Sequence, residues 1–94
     1  MTTPYEEPIY IYLEWIDSAG HTGWHSEDEI GDIAPSRIIT VGILAFESDV
    51  SYAVTTSVSR HGEEYKEEYH SPLVIPKCCV MRFVDLTGVV NSEL

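Results

Sequence analysis

Positive charge is what this sequence has least of: five Lys and Arg stand against sixteen Asp and Glu, a formal net charge of -11. So acidic a surface repels a phosphate backbone and gains nothing from counterion release, which argues against direct binding of nucleic acid or of anionic membranes. Cysteine is nearly as scarce. The two copies, Cys78 and Cys79, are adjacent; neighbours in a strand point to opposite faces, so a disulfide between them would be strained. Reduced thiols and a cytoplasmic location are the expectation. No apolar run approaches membrane-spanning length, and no basic-then-apolar leader follows Met1. There is also no Walker loop, no G-x-G-x-x-G, no nucleophile elbow and no C-x-x-C. These absences point away from an enzyme and imply no cofactor, no metal and no catalytic residue.

Apolar residues, by contrast, are plentiful and well ordered. They make up 44% of the 94 residues and fall into separate runs, which fits one small folded domain. From Ile9 to Asp17 the chain alternates: Ile9, Ile11, Leu13 and Trp15 on one side, Tyr10, Tyr12, Glu14 and Ile16 on the other. That period of two predicts a first strand. Ser18 to Trp24 is turn chemistry, and Ser26 with Glu29 forms a capping box that predicts a short helix over 27–34, ended by Pro35.

Arg37 to Glu47 and Val50 to Ser59 read as a long hairpin around the turn Ser48-Asp49. The first of these strands is apolar on both faces, as in a closed or covered sheet, and Gly42 in its middle predicts a bend, bulge or close backbone approach. In the second strand the alternation gives one wet face. The charged stretch 60–70 reads as an exposed excursion, a short extended hairpin with its turn at His61-Gly62, or a helix from Glu63 to Tyr69. Leu73-Val74-Ile75 and Cys79 to Leu86 are two further strands joined at Pro76-Lys77, and residues 1–8 and 87–94 read as loose tails.

The fold class expected is mainly β: a small, five-stranded, strongly bent antiparallel barrel with one short helix or loop insertion after strand 1. The segments Val41-Gly42-Ile43-Leu44-Ala45-Phe46-Glu47-Ser48-Asp49 and Ile75 to Phe83 resemble the centre and the closing turn of Sm-like proteins, and more loosely an SH3-like barrel. That resemblance implies a barrel and a tendency to form homo-oligomers. It implies no RNA site, because the charge has the wrong sign and no RNA-binding motif is present. A second layout is similar to a group of small bacteriophage proteins: Trp15-Ile16-Asp17-Ser18, Gly23-Trp24, Thr40 to Leu44 and Ile75-Pro76-Lys77. It implies a phage accessory protein acting in the host cytoplasm.

Two functions are compatible with this. The first is a non-enzymatic protein that binds and inhibits or modulates a bacterial host protein, such as a defence or nucleic-acid-binding factor, through its acidic surface. The acids of that surface gather in two groups, Glu27, Asp28, Glu29 and Asp32, then Glu63, Glu64, Glu67 and Glu68. The second is an oligomer that sequesters a small ligand or nucleotide. For this, Trp15 and Trp24 would offer a stacking platform, Asp17 and Ser18 hydrogen-bond partners, and Arg60 and Lys77 local positive charge. Against it, Trp15 suits a core, Trp24 a plug, and Asp17 with Ser18 a capped turn. His21, His25, His61 and His70 show no metal-ligand spacing and read as exposed loop residues.

Overall fold

In strand β1 (Tyr10–Asp17) the expected alternation is realised: Ile11, Leu13 and Trp15 are buried, and Tyr10, Tyr12, Glu14 and Ile16 face outward. A computed structural model describes residues 6–61 and 66–94. The chain runs β1, helix α1 (Glu27–Gly31), β2 (Ser36–Glu47), β3 (Ser51–Thr55), β4 (Val58–His61), β5 (Lys66–Tyr69) and β6 (Leu73–Pro76). A 3-10 turn (Lys77–Cys79), β7 (Val80–Asp85) and helix α2 (Thr87–Glu93) complete it. Five strands form one antiparallel sheet in the order β6-β3-β2-β1-β7, and β4 and β5 pair as a separate two-stranded ribbon.

The two edge strands, β6 and β7, are joined by only three residues. In a flat sheet four inter-strand spacings of about 4.8 Å would hold these edges roughly 19 Å apart. Four Cα steps of about 3.8 Å cannot span that distance, least of all when wound into a 3-10 turn. The sheet is therefore curled, bringing its edges together around the Lys77–Cys79 turn. No ladder joins β6 to β7 among the described residues, so no closed barrel is found.

Gly42 makes the curl sterically feasible. A Cβ at this position would lie 2.6 Å from the Thr55 carbonyl oxygen and 2.8 Å from Val54 Cγ1. This is the close backbone approach expected of a mid-strand glycine. Two irregularities add twist: β2 skips Ala45 in its pairing with β3, and β7 skips Met81 in its pairing with β1.

The concave side holds the core: Ile11, Leu13, Trp15, Val54 and Ile75, with Ile38, Leu44, Tyr52 and Val80 packed against them. The Trp15 indole N–H donates to Thr40 Oγ1 at 3.0 Å, which satisfies the one polar atom of the largest core side chain.

The structure departs from the sequence reading in several places. The expected strand Val50 to Ser59 breaks after Thr55. The Thr55 hydroxyl donates to the His70 carbonyl at 2.6 Å and accepts from Ser57 N–H at 3.3 Å, turning the chain out into the ribbon. Thr55, expected on a wet face, is consequently buried. The excursion takes the hairpin form, with β5 where a helix was the alternative; the turn at Gly62 and the residues Glu63 and Glu64 lie outside the described residues. Helix α1 stops at Gly31, short of residue 34. Residues 87–93, expected as a loose tail, form α2. Thr87 Oγ1 accepts from Tyr10 N–H at 3.0 Å, and Leu86 N–H donates to the Tyr10 carbonyl at 2.7 Å. Finally, the convex face of β2 is not covered: Ile39 and Val41 are 64% and 57% exposed.

Candidate protein-binding groove

A cavity of about 300 Å³ lies between the second half of β2 and the β4–β5 ribbon. Its apolar lining comes from Ile9, Leu44, Phe46 and Val58. Phe46 is there because of the bulge at Ala45: skipping one residue flips the alternation, so a side chain that shares a strand face with Leu44 is instead 66% exposed. Its polar lining is mostly acidic, with Glu6, Glu7, Glu47 and Glu67 beside Arg60 and Tyr69.

Two cations hold this rim together. Arg60, on β4, places its Nε 2.9 Å from Glu67 Oε1 and donates through Nη2 to the Glu6 carbonyl at 2.7 Å, tying the ribbon to the lead-in segment. The Tyr69 hydroxyl donates to Glu67 at 2.7 Å, and that bond raises the tyrosine's pKa above its ordinary value. At the other end Lys77 Nζ lies 2.6 Å from Glu47 Oε2 and 5.0 Å from the centre of the Tyr52 ring. The carboxylate bond holds the ammonium pKa above its usual range. Arg60 and Lys77 are thus engaged in neutralising two acids, while Glu6 and Glu7 remain as exposed carboxylates at the mouth.

The two tryptophans are not brought together. Trp15 is 8% exposed in the core, and Trp24 is 102% exposed in the loop after β1. Asp17 and Ser18 act locally: the Asp17 carboxylate accepts from Ser18 N–H at 2.8 Å, as a turn cap does.

Glu27, Asp28, Glu29 and Asp32 lie on or beside α1, all exposed. Ser26 caps this helix by accepting from Glu29 N–H at 3.3 Å. Of the second acidic group, Glu67 belongs to the groove and Glu68 is exposed on the ribbon. His25 is held within its own loop by Glu29 at 3.0 Å and the Thr22 carbonyl at 2.9 Å. Among the described residues no group of three His, Cys, Asp or Glu is placed to hold a metal ion.

The Cys78 and Cys79 thiols are free of a disulfide and share a 4.0 Å sulfur–sulfur hydrogen bond on the 3-10 turn; burial, then that bond, pushes the Cys79 thiol pKa up, away from the reactive thiolate. No helix is long and apolar enough to cross a membrane among the described residues.

The groove was missed in the sequence because its walls come from four separate segments. The chain matches no protein-family model, no curated protein and no solved structure significantly.

Proposed function

We propose that this chain is a non-enzymatic interaction protein, a small barrel of the Sm-like or SH3-like kind, that binds a basic segment of another protein in its acidic groove. The observation that carries this reading is the pairing of an apolar floor (Ile9, Phe46, Val58) with exposed carboxylates, Glu6 and Glu7, that make no ion pair among the described residues, at the same mouth. Such a surface suits a partner strand or loop that alternates Lys or Arg with an apolar anchor. The net charge of -11 draws basic partners from a distance and raises their encounter rate. The two open edges of the curled sheet, β6 and β7, offer further sites for strand addition, including by copies of the same chain.

The resemblance of its sequence layout to small phage proteins favours a partner among bacterial proteins, with inhibition or modulation of a host factor as the outcome. Immobilised protein incubated with bacterial lysate tests this. A basic protein retained in near-stoichiometric amount at low salt and released at high salt is the expected result. Retention of nothing, or retention unchanged by salt, contradicts it.

A further inference from the structure

A different surface, the convex face of β1, β2 and β7, has the opposite charge character. Cross-strand register puts Ile16 beside Arg37, Glu14 beside Ile39 and Arg82, and Tyr12 beside Val41. Ile39, Val41 and Met81 are each at least half exposed and Ile16 is 37% exposed, so the apolar part of this face is open to water. Arg37 Nη2 reaches only Met81 Sδ, at 3.9 Å, and Arg82 stands 5.9 Å from the centre of the Tyr12 ring. Among the described residues neither guanidinium has a carboxylate partner at ion-pair distance. The carboxylate beside them, Glu14, is engaged by the Tyr12 hydroxyl at 2.7 Å. In a chain with sixteen acids, two arginines without acidic partners on one apolar face are conspicuous. Between Glu14, Arg37, Ile39 and Met81 lies a cavity of about 170 Å³, room for one large side chain.

The chain also carries a segment of the complementary kind. Residues 18–35, the arm between β1 and β2, contain Glu27, Asp28, Glu29 and Asp32 and no Lys or Arg. Nothing in the arm is buried: Trp24 is 102% and Ile30 57% exposed, and only Ile33 is half-covered. A fully exposed tryptophan next to a capped acidic helix is an anchor without a pocket. The convex face is a pocket without an anchor.

We propose that a second copy of this chain covers the convex face, laying its acidic arm across Arg37 and Arg82 and seating Trp24 or Ile30 in the cavity beside Ile39 and Met81. The exchange is reciprocal, so two arms and two faces form one two-fold dimer. Such a contact is isologous and closes on itself. Opposite charges set the register and the apolar anchor supplies the burial. The proposal is independent of the acidic groove, which lies at the β2–ribbon side.

Sedimentation at a series of protein and salt concentrations tests it, with charge-reversed variants at exposed positions. Wild type is expected to sediment as a dimer of the 10.6 kDa chain and to dissociate as salt rises. The face variant Arg37→Glu/Arg82→Glu and the arm variant Glu27→Lys/Asp28→Lys/Glu29→Lys, which leaves Asp32 as the arm's one acid, should each raise the dissociation constant by roughly tenfold or more. Mixed together, the two should form a heterodimer, because each acidic arm then meets a basic face and each basic arm an acidic one. Trp24 emission, isolated by difference from Trp24→Phe, should shift to the blue on dimerisation.

A monomer at all concentrations overturns the proposal, as does a dimer indifferent to both variants. A monomer with blue-shifted Trp24 also overturns it, by showing the arm folded on its own sheet. Lysate capture reads the groove separately, so a dimer that captures nothing would sink only the proposed function.

Discussion

Tyr52 and Phe83 stack with ring centroids 5.1 Å apart and planes 27° from parallel, although β2 and β1 separate their strands in the sheet. That contact closes the mouth of the curl, and Lys77, from the turn joining the edge strands, sits over the same Tyr52 ring at 5.0 Å. If the stack fastens the curl, Tyr52→Ala and Phe83→Ala should destabilise non-additively. A double-mutant cycle by urea denaturation is expected to give a coupling of about 0.5–1.5 kcal/mol. Additive losses would show that the rings are neighbours without being a clasp.

Gly42 is the second element of the curl. An alanine there must move the Thr55 carbonyl, 2.6 Å from its Cβ, so Gly42→Ala is expected to cost about 1–3 kcal/mol as an overpacked site. Gly20→Ala, where nothing lies within 4 Å, should change stability by no more than about 0.5 kcal/mol. Equal thermal midpoints for the two variants would contradict this.

The core is small, and single truncations in it should be severe. Leu13 and Ile11 are 0% exposed; cutting either to alanine is expected to cost about 2–5 kcal/mol, a large share of the stability of so short a chain. Val74→Thr on edge strand β6, at a position 61% exposed, should stay within about 0.5 kcal/mol. Denaturant midpoints check the contrast.

Helix α2 should be acid-labile. The Thr87 hydroxyl and backbone N–H hold the Asp85 carboxyl below its ordinary pKa. A group with a depressed folded pKa contributes stability above its unfolded pKa and loses it as pH falls through the folded value. Amide signals of residues 87–90 should therefore change as pH drops below about 4, before the core signals of β1 do. In Asp85→Asn that early step should vanish. A single transition shared by helix and core in both proteins would refute the assignment.

Legibility in the sequence followed the range of the interactions involved. β1 was readable because its alternation is local, and the α1 start because Ser26 and Glu29 are three residues apart. The break after Thr55 was not readable: it depends on a bond to His70, fifteen residues on. Nor was α2, whose Gly, Val, Asn and Ser are poor helix formers; it is held by Tyr10, at the other end of the chain. The bare convex face was misjudged for the same reason. Apolar residues on both sides of β2 imply two covered faces, and only the pairing scheme reveals that this chain covers one.

The most direct test compares lysate capture by wild type, by the groove variant Glu6→Lys/Glu7→Lys and by the face variant Arg37→Glu/Arg82→Glu. A binding protein with its site between β2 and the ribbon should retain the same basic protein in wild type and face variant, and lose it in the groove variant. Retention by all three alike, or by none, would contradict the account.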